Sequence, residues 1–551
     1  MTLQIARLVG SAGSGKTSEL LRIMDSALDH LGRDPLRLGF ASFTRAARAE
    51  AVERASKAWN VSPDLLTSRG WFRTVHSVAY RCLGISGGQM IGNTQADIEW
   101  LCNALQCRIE TSIDDDTGRQ KFLGDPAAAA ALNCWELCRA TLQPLEPIVK
   151  RLKSIDDNVP PLDSIVRVCN RYEAAKRLDD RVDFSDLLLR FAGFAVDTTG
   201  VPYVRTPEGE LPEVDAWLFD EQQDASALMD AACKRLVTAP SVRWCYIVGD
   251  PFQAIYGFAG SNADNFMAWH ADKERIMPRS YRCPAPIISL GEQCLRRMKR
   301  GYFDRGVEPA PHDGSVSELN SIEDAASLAN PGDNWLFIAR TNYQAGRLMA
   351  ALNAAHKPAK WTTSPDGRTA RSVGLAALWA LEHGEPITGQ QWSRALELLP
   401  ASSGRDRVPM LARGTKSRWK NGDAADQWDL IFPSDLPAIG ATSELCDRIG
   451  AGKWVGLVDR GLEWREQALR HGPDLAAEPK IRVGTIHSVK GFEADNVAVL
   501  TTTSGQIENG MEDQTQHDEE HRIAYVAVTR TRHHLHVINE GRQKTPRMEI
   551  L

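Results

Sequence analysis

Residues 10–17, GSAGSGKT, stand between an apolar stretch, IARLV, and a helical pattern, SELLRIMDSAL. Gly and Ser have no side chains with which to build a core. Glycine does free the backbone N–H groups to curl around phosphate oxygens at a helix N-terminus. Strand, G-x-x-x-x-G-K-[ST], helix is the context of a P-loop, and it calls for an α/β domain. Gly10, Ser11, Ala12, Gly13, Ser14 and Gly15 would cradle the phosphates. Lys16 would reach the β and γ phosphates, and Thr17 would ligate Mg²⁺. The loop specifies a nucleoside triphosphate without separating a kinase from a motor.

Two acidic strand ends narrow the chemistry. VDAWLFDEQQD (214–224) is an apolar strand closed by acids. Asp220 is placed to hold Mg²⁺, and Glu221 to orient and deprotonate water. A hydrolase needs that second carboxylate, whereas a kinase does not. A further strand, RWCYIVGDPFQAIYGF (243–258), ends at Asp250 and carries Gln253, a residue suited to sensing a γ-phosphate. Tyr256 and Phe258 follow at alternate positions, to be read either as base-stacking rings or as core.

The bulk numbers exclude little. With 551 residues, 43% hydrophobic and 25% charged, the chain is long enough for three or four domains. Its net charge of −6 gives no global sign of nucleic-acid binding, although a local basic groove is compatible with it. No apolar run is long enough for a membrane span, and the N-terminus lacks a signal-peptide pattern, so a cytoplasmic protein is expected. Six of the eleven cysteines, Cys82, Cys102, Cys107, Cys134, Cys138 and Cys169, fall close together. None has CxxC spacing, and core packing is expected rather than a metal cluster.

The ordered series of motifs resembles the superfamily 1 helicases of the UvrD/Rep class along nearly the whole chain. GSAGSGKT is similar to their first motif. FASFTRAARAEAVER (40–54), RTVHSVAYRCL (73–83), DFSDLL (183–188), DEQQD (220–224), VGDPFQAIYGFAGS (248–261), RSYRCP (279–284), VGTIHSVKGFEADNV (483–497) and EEHRIAYVAVTRTRHHL (519–535) match later ones in order. The resemblance implies that Phe43 and Thr44, and then Thr74, His76 and Ser77, meet single-stranded DNA. It implies that Arg282 and Arg530 stabilise charge on the transferred phosphoryl group, with Lys16, Asp220, Glu221 and Gln253 completing the catalytic set. Tyr281 would stack on adenine, Glu493 would contact the ribose, and His487 and Lys490 would face DNA or an inter-domain cleft. Phe43, Tyr256 and Phe258 would be the rings that step along bases.

The implied fold is α/β: two RecA-like P-loop NTPase domains with mainly helical inserted domains. Residues 1–84 and 182–276 would form the first RecA-like domain, and 277–345 with 480–551 the second. The second would have strands at NWLFIAR (334–340) and NVAVLTT (496–502). Residues 85–181 would be a helical insertion, and 346–479 a Trp-rich one whose tryptophans are core. Motif residues are expected at the carboxyl ends of strands.

Three departures from the family stand out. The upstream Gln that reads adenine is missing, Gln4 being too close to the loop, so strict adenine selectivity is not expected. An aromatic-Arg-Gly-Ala motif is replaced by Phe258-Ala259-Gly260-Ser261, and the chain stops soon after its last motif, so no nuclease domain is expected.

The implied activity is an ATP- and Mg²⁺-dependent helicase moving 3′→5′ on single-stranded DNA and unwinding 3′-tailed duplex. A monomer is expected, with DNA-processing proteins as further partners. A translocase that strips proteins from DNA and a slow nucleotide switch are the alternatives.

Overall fold

The computed structural model describes residues 3–113, 119–154, 158–363, 370–404, 406–420, 428–458, 479–540 and 546–550. The chain divides into two compact units. The first comprises Met1–Gly314, Ser504–Thr529 and Met548–Leu551; the second comprises Ser315–Thr503 and Arg530–Arg547.

The first unit is built on a six-stranded sheet in the order Lys273–Met277, Gln4–Gly10, Trp244–Gly249, Ala216–Phe219, Leu38–Ser42, Trp71–Thr74. Every pairing is parallel. Helices cover such sheets on both faces, so the inner strands read as continuous apolar runs. Leu38–Ser42 and Ala216–Phe219 are buried throughout. The packing is tight enough to dictate sequence: a Cβ on Gly39 would lie 2.5 Å from the Trp217 ring. Trp217 in turn stacks on Phe219 with centroids 5.8 Å apart.

Within residues 85–181 run the helices Gln95–Leu105, Pro126–Thr141, Leu145–Lys153 and Leu162–Leu178. The same stretch also holds an antiparallel hairpin, Ile109–Ile113 with Gln120–Gly124, which the polar sequence there does not signal. Cys134, Cys138 and Cys169 pack with Trp135, Leu145, Ile148 and Ile165 in an apolar core. Burial pushes the Cys134 thiol up to about 11 and the Cys138 thiol up to about 12, so both stay protonated as small hydrophobes.

The second unit has its own six-stranded parallel sheet, in the order Ser315–Leu319, Thr531–Ile538, Ala494–Leu500, Trp335–Ala339, Ile481–Thr485, Ala359–Trp361. A separate helical core spans residues 375–458 and buries Trp392, Trp419 and Trp454, with Trp379 and Trp428 packed partly buried against it. Trp361 is not part of that core; it ends a sheet strand and is 39% exposed. Trp464 lies outside the described residues.

Three boundaries read from sequence move. Residues 504–529, expected in the second domain, belong to the first unit. Residues 277–314 pack with the first unit, not the second. The cause is Lys273–Met277, which pairs with Gln4–Gly10 and so delivers the following segment to the glycine loop. Residues 346–361 belong to the second sheet rather than to the Trp-rich insertion. Helix Asn342–Ala354 packs on that sheet, and Ala359–Trp361 pairs with Ile481–Thr485. Among the described residues, no helix is long and apolar enough to cross a membrane.

Candidate nucleotide and DNA-contact site

Because the first sheet is wholly parallel, the carboxyl ends of its strands share one edge. Gly10 closes the first strand and opens the glycine loop, and helix Lys16–His30 begins at its far side. Gly13 and Gly15 have φ of 71° and 77°, in the left-handed region that an L side chain rarely adopts. The fold leaves no space for side chains either: a Cβ on Gly10 would lie 2.5 Å from Lys16 Cγ, and one on Gly13 would lie 2.5 Å from Arg282 Cβ. Lys16 Nζ donates to the Gly10 carbonyl at 3.3 Å. Ser11 Oγ and Ser14 Oγ are buried without a hydrogen-bond partner among the described residues. Buried hydroxyls of this kind are costly unless a ligand satisfies them. A loop with two such hydroxyls, a lysine and a helix N-terminus fits a polyphosphate.

Asp220 follows Ala216–Phe219 and is buried. Burial and the neighbouring Glu221 charge push its carboxyl up to about 7, against the pull of Lys16. A carboxyl raised in this way is one whose charged form a nearby cation would favour. Glu221 donates its N–H to Asp220 Oδ1 at 2.9 Å and sits at φ 53°, an uncommon conformation for a non-glycine residue. Gln223, which the sequence reading did not single out, links the two acidic strand ends. Its Nε2 donates to Glu221 Oε2 at 2.6 Å, and its Oε1 accepts from the Asp250 N–H at 3.0 Å. Gln253 Nε2 donates to Asp250 Oδ2 at 2.8 Å.

The segment after Lys273–Met277 lies directly on the glycine loop. Ser280 Oγ donates to the Ala12 carbonyl at 2.8 Å, and the Tyr281 N–H donates to the Gly13 carbonyl at 2.8 Å. The Tyr281 ring, 65% exposed, stands beside Gly15. The Arg282 guanidinium donates to the Thr529 carbonyl at 3.2 Å. Sequence reasoning missed two further residues of this region. Arg305 is fully buried and pairs with Asp250 at 2.7 Å and Glu292 at 2.7 Å. Tyr525 Oη accepts from the Ala12 N–H at 3.3 Å and donates to Asp250 Oδ2 at 3.4 Å.

Further along the same edge, Phe43, Arg45, Arg48, Thr74, His76 and Ser77 line a groove of about 480 Å³. Thr44 and Thr74 cap the helices Arg45–Trp59 and Val75–Leu83, each hydroxyl accepting a backbone N–H of the first turn. Two helix N-termini therefore open here, beside two arginines that the sequence reading had quoted without assigning. Ser77 Oγ accepts from Arg73 at 3.0 Å. Burial pulls His76 down to about 4, so it is neutral at physiological pH, and its ring meets Phe184 edge to face.

The three expected stepping rings do not share one environment. Phe43 is 4% exposed and packs in the core with Val75 and Val78, and Tyr256 is 5% exposed. Both are too buried to present a stacking face, Phe43 contributing only to the groove wall, which corrects the expectation of three stacking platforms. Phe258 is 52% exposed, with the Tyr256 ring edge-on beneath it at 6.1 Å.

In the second unit, His487 and Lys490 follow Ile481–Thr485 at its carboxyl end. Glu493 and Arg530 instead precede the strands Ala494–Leu500 and Thr531–Ile538, at their amino ends. Glu493 Oε1 accepts from Arg532 Nε at 2.9 Å. Arg530 is buried and donates to the Phe492 carbonyl at 3.4 Å.

Comparison with known proteins agrees with this layout. The family described as the UvrD/REP helicase N-terminal domain matches residues 3–274, and the UvrD-like helicase C-terminal domain matches residues 465–541. Together they cover more than half of the chain. The Bacillus subtilis protein YjcD is 23% identical over 96% of this chain and 76% of its own length. The ATP-dependent DNA helicase UvrD2 of Mycobacterium tuberculosis is 25% identical over 68% of this chain, and DNA helicase II of Salmonella typhimurium 24% over 64%. The chain spans about half the length of these last two, 54% and 48%.

Proposed function

The chain belongs to the UvrD/Rep class of superfamily 1, the ATP-dependent DNA helicases, and from that premise we propose that it translocates 3′→5′ on single-stranded DNA and unwinds 3′-tailed duplex. One observation carries the reading. The glycine loop, the Asp220–Glu221 pair, Gln253 and the groove at Thr74 all stand on the carboxyl edge of one parallel sheet. Phosphate chemistry and a DNA strand can therefore be read by one rigid element.

In this reading the glycine loop and Lys16 bind the triphosphate of ATP. Thr17 and Asp220 would hold Mg²⁺, which would supply charge neutralisation at the triphosphate. Glu221 takes a proton from the attacking water, and its strained backbone aims the carboxylate. Gln253 reads the γ-phosphate. Tyr281 stacks on the base, with Arg282 and Arg530 as the phosphoryl-stabilising cations and Glu493 on the ribose. Thr74, His76 and Ser77 contact the DNA backbone, Thr44 and His487 face the DNA strand, and the protein acts as a cytoplasmic monomer.

The test is the ATPase rate with and without single-stranded DNA, beside unwinding of 3′- and 5′-tailed duplexes. Stimulation with unwinding of the 3′-tailed duplex alone is expected. Unwinding from a 5′ tail overturns the polarity. Stimulation without strand separation favours a protein-stripping translocase, and no stimulation favours a nucleotide switch.

Phe258→Ala should weaken single-stranded DNA binding by the stacking energy of one base, about 1–3 kcal/mol, or roughly 5- to 150-fold. Because the ring is half exposed, the melting temperature and the DNA-free ATPase should hold. A fall in all three together would mean that the ring supports the core instead.

The groove makes a second prediction about charge. Arg48→Ala should lower the slope of log affinity against log salt by about 1, the signature of one lost phosphate contact. His76→Gln should leave that slope unchanged, because His76 is neutral. Fluorescence anisotropy across a salt series measures both, and equal slopes for Arg48→Ala and the parent would remove Arg48 from the DNA contacts.

A further inference from the structure

Helix Gln514–Val528 touches three parts of the first unit with three residues spaced three apart. Glu519 Oε1 accepts the Gly257 N–H at 2.7 Å. Arg522 Nε donates to the Ala254 carbonyl at 3.0 Å. Tyr525 Oη joins the Ala12 N–H, Asp250 and Arg305 at 3.3–3.4 Å. Residues three apart on a helix lie on one stripe, so a single face makes all of these bonds.

The segment so held is short and irregular. It begins at Asp250, carries Gln253, and reaches Phe258 within five further residues. Two of its peptide groups, at Ala254 and Gly257, are fastened by charged side chains of the helix, the stronger kind of hydrogen bond. The fit at Gly257 is close: a Cβ there would lie 2.4 Å from the Glu519 carboxylate. The helix then leads to Thr529, the last residue of the first unit in this stretch, and Arg530 is the first of the second.

We propose that Glu519 and Arg522 are positioning residues that make Ala254–Gly257 and helix Gln514–Val528 move as one body. A shift at Gln253 is then passed both to the Phe258 ring and along the helix toward Arg530. Coupling is reciprocal, so DNA on Phe258 alters the state of the γ-phosphate sensor by the same connection. The inference rests on the proposed motor function. Neither residue touches nucleotide or DNA in that reading; each acts on the backbone between Gln253 and Phe258.

Three variants of the full chain test it: Glu519→Ala, Glu519→Gln and Arg522→Met. Each is read for melting temperature, DNA-free ATPase, ATP KM, single-stranded DNA Kd and DNA-stimulated kcat. Glu519→Ala should lose about 5- to 30-fold in stimulated kcat, while DNA-free rate, KM, Kd and melting temperature stay near those of the parent. Glu519→Gln keeps an acceptor for the Gly257 N–H and should recover most of that loss. Arg522→Met removes the bond to Ala254 together with the charge facing Glu519, and should show the same split should Glu519→Ala fail to fold.

Full stimulation in Glu519→Ala and Arg522→Met overturns the inference. So does a parallel fall of DNA-free and stimulated rates with melting temperature, which is the mark of a merely structural contact. A Glu519→Gln variant as defective as Glu519→Ala also overturns it. A parent protein without DNA stimulation would instead sink the proposed function itself.

Discussion

Glu221→Gln should lower DNA-stimulated ATP hydrolysis by about 10²- to 10⁴-fold, the usual worth of a general base, while nucleotide binding survives. The amide preserves the shape of the side chain and its acceptor toward Gln223 Nε2, now 2.6 Å away. What it loses is the ability to take a proton from water. The variant should therefore bind ATP with near-parental affinity and stay on DNA with ATP uncleaved. Lys16→Ala should fail differently. Lys16 stands over the loop with Nζ on the Gly10 carbonyl, and its loss removes a cation from the triphosphate, so binding and hydrolysis fall together. Fluorescent-nucleotide binding and single-turnover hydrolysis on both variants separate the two. Near-normal turnover in Glu221→Gln would show that another group activates water.

The difference between these residues and others of the site lies in how their signals are encoded. The glycine loop and the Asp220–Glu221 pair are legible because each is a run of adjacent residues whose neighbours supply the strand and the helix. The parallel sheets follow from the same local patterns, and the strands at 335–339 and 494–500 fall where apolar runs placed them. Arg305, Gln223 and Tyr525 were missed because their partner Asp250 lies 55, 27 and 275 residues away. Nothing in YFDRGVEP announces that its arginine will be wholly buried against an aspartate.

Aromatic residues show the same limit. Tyr256 and Phe258 are two residues apart in one motif, yet one is buried and the other half exposed. Their fate depends on what the tertiary fold lays over each ring. Which end of a strand a residue occupies also escapes a motif reading: Glu493 and Arg530 stand just before strands, at their amino ends, where carboxyl ends are expected. Composition misled at 346–361, where a tryptophan was grouped with an insertion although its strand pairs with the second sheet.

Asp183→Asn should destabilise the first unit by about 3–5 kcal/mol, the cost of leaving buried charges without their partner. DFSDLL reads in sequence only as one of the ordered motifs, and in the structure Asp183 with Asp186 forms a capping box at the start of its helix. The structure adds what the motif hides. Asp183 Oδ2 receives Arg139 Nη1 at 2.8 Å, Lys176 Nζ at 2.7 Å and Tyr172 Oη at 3.1 Å. Lys176 also reaches Asp186 Oδ2 at 2.7 Å and Glu173 at 2.9 Å, and Ser185 Oγ donates to Glu136 at 2.7 Å. Arg139, Lys176 and Asp183 are all buried. Burial opposes the Asp183 charge, but Arg139 and Lys176 hold its carboxyl well below the usual range. Burial and that same charge push Asp186 up to about 6. The network joins the motif helix Phe184–Ala192 to the inserted helices Pro126–Thr141 and Leu162–Leu178, so its loss should loosen the insertion from the sheet. Lys176→Met alone should be costly for the same reason. In the Asp183→Asn background it should cost less, because Lys176 has already lost its closest partner there, giving a coupling of about 0.5–3 kcal/mol. Thermal unfolding of the two single variants and the double variant measures this, and additive losses would show that the ions do not act as a unit. Glu173, Asp183 and Asp186 lie close enough to gather a metal ion. Arg139 and Lys176 already supply the positive charge, so Mg²⁺ or Ca²⁺ without nucleotide should leave this transition unmoved.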